Sequence, residues 1–135
     1  MTTTERPTLK GEILVCEDNH LQQQLICAHL KKAGITTVVA ETGKVGVDIV
    51  NKRLDNGEKQ FDLIFMDMYM PEMDGLEAII KIRELGVTTS IIPMTANFTA
   101  ADEQIYKSHG LTDCLRKPFT SQEVWNLLLK YFKAG

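Results

Sequence analysis

The sequence predicts an α/β fold, a doubly wound sheet of five parallel strands accompanied by five helices. Three observations carry this. Short apolar runs alternate along the whole chain with stretches whose apolar residues recur at helical spacing. The runs are continuous rather than alternating, as strands buried on both faces require. Glycines and helix-capping residues fall at the joints between them. With 135 residues, 44% hydrophobic and 24% charged, the chain has the size and composition of one globular domain.

In order, the first strand reads Ile13–Cys16. The helix after it places Leu21, Leu25 and Ala28 on one face, with Ile26, Leu30 and Ala33 beside them, and stops at Gly34. Thr36–Ala40 is the second strand. Leu54–Gln60, with Asn56-Gly57, reads as a surface loop. Leu63–Met66 is the third strand, and the helix that follows stops at Gly86. After the fourth strand, Ser90–Met94, the run Thr99-Ala100-Ala101-Asp102 opens a helix that ends before Gly110. That helix is weakly apolar, with Ala101 and Ile105 as its core candidates. Cys114–Arg116 is the fifth strand. Thr120-Ser121-Gln122-Glu123 opens the last helix, which groups Val124, Leu127, Leu128 and Tyr131, flanked by Trp125, Leu129 and Phe132. Residues 1–10 are expected to form a flexible tail and residues 11–135 the domain.

Composition excludes several classes of function. The net charge of −3 with no basic block gives nucleic-acid binding no electrostatic support. No apolar run approaches the roughly 20 residues that span a bilayer, and the polar start has no signal-peptide core. A cytoplasmic protein with no membrane contact of its own is expected. Cys16, Cys27 and Cys114 match no zinc or CxxC spacing, and their odd number argues against a disulfide framework. His20, His29 and His109 are scattered and read as ordinary polar residues.

In such sheets, sites form at the carboxyl ends of the strands. Glu17-Asp18 follows the first strand, Asp67 the third, Thr95 the fourth and Lys117-Pro118 the fifth. Singly, each has an ordinary reading: Asp18 as a helix cap, Asp67 as a turn former, Thr95 as a strand end, Lys117 as a solvated lysine. Together they put three carboxylates, a hydroxyl and an ammonium on one edge. Clustered carboxylates repel, and a hard divalent cation relieves them. Magnesium takes one or two carboxylates plus water and phosphate oxygens. Lys117 and Thr95 would then supply charge and a donor to a phosphoryl group, with a carboxylate as nucleophile.

These residues resemble the response-regulator receiver family, which includes the chemotaxis regulator. Val15-Cys16-Glu17-Asp18-Asn19 looks like its acidic-pair motif. Phe65-Met66-Asp67-Met68-Tyr69-Met70-Pro71-Glu72-Met73-Asp74-Gly75 looks like its phosphoacceptor segment. Pro93-Met94-Thr95-Ala96 and Arg116-Lys117-Pro118-Phe119 look like its two remaining signatures. The likeness runs from about Gly11 to Phe132 and implies a flavodoxin-like winding with strand order 2-1-3-4-5. It also implies a signalling switch of a two-component or phosphorelay system rather than an enzyme, one that promotes only its own phosphorylation and dephosphorylation. Asp67 would accept a phosphoryl group from a phosphohistidine on a sensor histidine kinase or histidine phosphotransfer protein. Mg2+ would be held by Asp18, Asp67 and the backbone carbonyl of Tyr69, with Glu17 acting through water. Thr95 and Lys117 would hold the phosphoryl oxygens, helped by the backbone N–H groups of Met68 and Ala96. The Lys117–Pro118 bond would be cis, and Pro71 and Gly75 would shape the turn into the third helix. The phosphoryl group adds about −1.5 to −2 charge. Drawing Thr95 and Lys117 toward it would move the Thr99–Ser108 helix and change the face made with strand five and the last helix.

Two features bear on how the family pattern carries over to this chain. The switch residue, usually Tyr or Phe three before the lysine, is Cys114. Tyr69 and Asn97 occupy the positions that tune phosphoryl lifetime. No output segment follows the last helix, so a stand-alone regulator or an excised piece is expected. Leu9–Val15 and Asp113–Pro118 resemble the receivers of hybrid sensor kinases. Three other readings remain. One is a receiver-like interaction module that takes no phosphate. Another is a haloacid-dehalogenase-type phosphatase, disfavoured because Tyr69 stands where its second aspartate belongs. The last is a nucleotide or flavin module, for which no glycine-rich phosphate motif is present.

Overall fold

The computed structural model describes residues 8–70 and 72–132. The elements alternate as β1 (Glu12–Cys16), α1 (His20–Lys32), β2 (Thr36–Ala40), α2 (Gly43–Asp55), β3 (Leu63–Asp67), α3 (Gly75–Glu84), β4 (Ile91–Thr95), α4 (Ala100–Ser108), β5 (Leu115–Arg116) and α5 (Ser121–Tyr131). All neighbouring strands are parallel, in the order β2-β1-β3-β4-β5 that the resemblance implies.

Alternation along the strands sorts the core into two layers. Ile13, Val15, Leu63, Phe65, Ile92 and Met94 face α1 and α5, where Ile26, Leu30, Val124 and Leu128 meet them. Leu14, Cys16, Ile64 and Met66 face the other way, toward Val50 of α2, Ile79 and Ile82 of α3 and Tyr106 of α4. Both faces of the central strands are covered, which is why their sequences read as unbroken apolar runs. The helix ends follow the local chemistry. Thr99 and Thr120 form capping boxes with Asp102 and Glu123, and Gly34, Gly86 and Gly110 adopt positive φ just past α1, α3 and α4.

Pro93 explains the shortness of β5. The carbonyls of Ser90 and Met94 accept from Ile64 of β3 and from Met68 just past its end, so by alternation Pro93 faces β5. It has no N–H to donate. The β4–β5 ladder therefore begins only at the Met94–Leu115 pair and ends one residue later.

Several expectations are corrected. On α1, Leu21 is 64% and Leu25 44% exposed and Ala28 is exposed too, whereas Ile26, Leu30 and Ala33 are buried. The two apolar stripes lie side by side, and only one reaches the sheet. On α4, Ala101 is exposed and Ile105 is 41% exposed; Tyr106 alone is buried. Leu129 of α5 faces solvent as well. Leu54 and Asp55 belong to α2 rather than to the loop after it, and Cys114 and Ser90 precede their strands. Of the expected tail, only residues 8–10 lie within the described residues, and Leu9 is not loose. It is fully buried, and its N–H donates to the Ala33 carbonyl at 2.8 Å.

Candidate functional site

The parallel sheet brings the carboxyl ends of β1, β3, β4 and β5 to one edge. Among the described residues, the buried polar and charged side chains are Glu17 (1% exposed), Asp67 (4%) and Thr95 (1%). Buried carboxylates and hydroxyls are costly unless something compensates them. Here all three lie at strand ends on the edge picked out from the sequence.

Glu17 is the most constrained. Its N–H donates to the Ala40 carbonyl, its own carbonyl accepts from Gln23 Nε2 at 2.6 Å, and its carboxylate accepts from the Asn19 N–H at 3.2 Å. Asn19, not Asp18, caps α1, accepting from the Gln22 N–H. Asp18 is left exposed at the lip of the site. Asp67 closes β3, and its carboxylate accepts from the Tyr69 N–H at 3.1 Å. The Lys117 ammonium bridges both buried acids, at 2.6 Å from Glu17 Oε1 and 3.3 Å from Asp67 Oδ2. The Lys117–Pro118 bond is cis.

Two of the groups expected to hold phosphoryl oxygens have other partners in this conformation. The Met68 N–H is already spent in the ladder, donating to the Met94 carbonyl at 3.0 Å. The amide beside the acceptor carboxylate is that of Tyr69, because an aspartate at the end of a strand commonly receives the N–H two residues on. The Thr95 hydroxyl does not hydrogen-bond Asp67 in this conformation; it donates to the Asn97 carbonyl at 2.6 Å. Ala96 is exposed beside it. Pro71 lies outside the described residues. Gly75 is seated where only glycine fits: a Cβ there would stand 2.4 Å from the Asp67 carbonyl oxygen and 2.7 Å from the Met68 Cα. Gln23, Asn19 and Gly75 are supports that strand-end reasoning ranks low, since each contact involves a backbone group, that of Glu17 for Gln23 and their own for Asn19 and Gly75.

Burial raises the Glu17 carboxyl to about 7, the Asp67 carboxylate adds to the rise, and the Lys117 ammonium opposes it. The folded state thus holds a proton that the unfolded chain has lost above its ordinary pKa of 4.5. Stability contributed by Glu17 is full below that value and is lost as pH rises through about 7. In metal-free buffer the urea midpoint should therefore drop between about pH 5.5 and about pH 7.5, and Glu17→Gln should flatten the drop. An equally steep drop in the Gln variant would assign it elsewhere.

The donor set fits a hard divalent cation. One oxygen each from Glu17, Asp18 and Asp67 lie within 4.8 Å of one another, with no sulfur or imidazole among them. Three acids against one ammonium leave net negative charge, which a cation would neutralise.

The response regulator receiver domain model matches residues 13–129. Among curated proteins, the chain is 34% identical over 121 residues to transcription factor SKN7 of Saccharomyces cerevisiae, covering 90% of this chain and 18% of that protein. It therefore spans under a fifth of that relative's length. It is 35% identical over 121 residues to the two-component response regulator ORR41 of Oryza sativa subsp. japonica, covering 88% of this chain and 92% of that one. Among solved structures, it superposes on the receiver domain of sensor histidine kinase PA1611 from Pseudomonas aeruginosa, which has a magnesium ion in its active-site cleft. The TM-score is 0.77 at 31% identity, covering 90% of this chain and 97% of that one.

Proposed function

Because the chain belongs to the response-regulator receiver family of two-component and phosphorelay systems, we propose that it is a phosphorylation switch whose acceptor is Asp67. One observation carries this: Asp67 is a buried carboxylate at a strand end that an ammonium, a backbone N–H and two further acids surround. Asp67 attacks the phosphorus of a phosphohistidine, and the P–N bond breaks as the P–O bond forms. Lys117 and the Tyr69 N–H steady the oxygens as charge shifts among them. Asp18, Asp67 and the Tyr69 carbonyl would hold Mg2+, with Glu17 behind a water; when bound, the ion neutralises phosphoryl charge. The protein turns over no external substrate and promotes only its own phosphorylation and loss of phosphate. Its free cysteines suit a reducing cytoplasm; among the described residues, no helix is long and apolar enough to cross a membrane. Incubation with acetyl phosphate should add one phosphoryl group by intact mass, with Mg2+ and not without it. Steady release of phosphate from monoesters would favour the phosphatase reading instead.

The donor is a histidine kinase or a histidine phosphotransfer protein. It must bring an imidazole to the edge where α1 begins, and there Leu21 and Leu25 present an exposed apolar stripe one turn from Asp18. Exposed leucines so placed fit the apolar centre of a transient interface. Leu21→Asp with Leu25→Asp should leave labelling by acetyl phosphate within about twofold of wild type while cutting transfer from a phosphohistidine protein by about tenfold or more. Equal loss with both donors would mean the substitutions damage the site itself.

A further inference from the structure

A hollow of about 300 Å³ opens between α4 and β5, where Phe98, Tyr106, Leu111, Cys114 and Arg116 line it together with polar residues of α4 and the loop before β5. Tyr106 borders it and is the buried residue of α4, at 6% exposed. A helix whose other apolar residues face solvent is held to the sheet by that ring. The ring packs 5.6 Å from Phe98, which in turn lies beneath the Arg116 guanidinium of β5 at 4.9 Å. By alternation Thr95 shares with Ile91 the face of β4 that Tyr106 covers, and its hydroxyl donates its proton to the Asn97 carbonyl in the loop entering α4.

We propose that Tyr106 is the positioning residue that links Thr95 to the α4–β5 face, supplying from α4 the aromatic ring that position 114 lacks. The proposal rests on Asp67 being the phosphoacceptor. A hydroxyl has one proton. Thr95 can donate it to a phosphoryl oxygen on Asp67 only by giving up the Asn97 carbonyl. That release loosens the loop that enters α4, the helix that carries Tyr106. The ring then settles differently against Phe98, with the hollow beside Cys114 as the space available, and α4 moves with it. An element anchored by one ring is well suited to two nearly equal positions.

The test is NMR of the full chain with and without Mg2+ and beryllofluoride. The amides of residues 67–69 report the acceptor site; the amides of residues 98–116 and the Tyr106 ring report the face. In wild type both sets should respond. In Tyr106→Ala the site should still respond with similar beryllofluoride affinity, while shifts over residues 98–116 fall to about a third or less. Adding Cys114→Tyr to that variant should restore them by filling the hollow from β5. A ring with a purely structural role would lower stability alike in both states and leave the shifts intact, which overturns the proposal. Should Tyr106→Ala fail to fold, the ring-labelled wild type decides: a Tyr106 ring signal unmoved while residues 67–69 respond also overturns it. Silence from both sets in wild type removes the phosphoacceptor reading, and this coupling with it.

Discussion

Asp67→Asn takes up no phosphoryl group from acetyl phosphate and Mg2+, with labelling below about a thousandth of the wild-type rate. The substitution keeps the shape of the side chain and an oxygen able to accept the Tyr69 N–H that the carboxylate now accepts at 3.1 Å. It removes the nucleophilic oxyanion and one of the three acids grouped within 4.8 Å. Fold and site chemistry therefore separate in this variant. The asparagine also relieves Glu17, whose carboxyl the neighbouring Asp67 helps to hold up. The urea midpoint at neutral pH should thus rise while labelling vanishes. Intact mass and a denaturation curve on the same sample check both halves. Undiminished labelling in the variant would place the acceptor on another side chain and sink the assignment.

Gly75→Ala costs both stability and labelling. The added methyl would meet backbone on β3's exit, the Asp67 carbonyl oxygen at 2.4 Å and the Met68 Cα at 2.7 Å, along with the Met68 sulfur at 2.8 Å. A flexible side chain could swing aside, but a peptide pinned by the Met68 N–H to the Met94 carbonyl cannot do so cheaply. Overpacking of this kind costs about 1–3 kcal/mol. Whatever movement relieves the clash displaces the peptide that follows the acceptor, and with it the Tyr69 amide. A misplacement near 1 Å can cost about a hundredfold in rate. The expected result is a lower urea midpoint together with labelling slowed by about tenfold to a hundredfold. A stable variant with a normal labelling rate would show that the α3 entrance is more pliant than its contacts suggest.

Much of this was legible in the chain itself. Unbroken apolar runs marked the central strands because both faces of the sheet are covered, and the strand ends then located Glu17, Asp67, Thr95 and Lys117 without any tertiary information. What escaped was decided by contacts between distant segments. Leu21 and Leu25 repeat at the same helical spacing as Ile26 and Leu30, and nothing local says which stripe meets the sheet. Ile105 is a better hydrophobe than Tyr106, yet the ring is the one buried, because a hollow beside Cys114 and a partner in Phe98 exist only after folding. Leu9 looked like tail because its partner, Ala33, lies in another element. The Met68 amide, which the resemblance gives to phosphate, donates in this conformation to the Met94 carbonyl, a partner that only the pairing of distant strands supplies.

The proline in β4 has a mechanical meaning. By withholding one amide it leaves the last strand joined along two residue pairs, where the other seams have four or five. Under tension applied through the C-terminus, the sheet should tear along that short seam first, releasing β5 and α5 while the four remaining strands stay zipped. In an optical-trap record this would register as a small early extension before the main rupture. Replacing Pro93 with valine, which restores the missing donor, should raise the force of that first event.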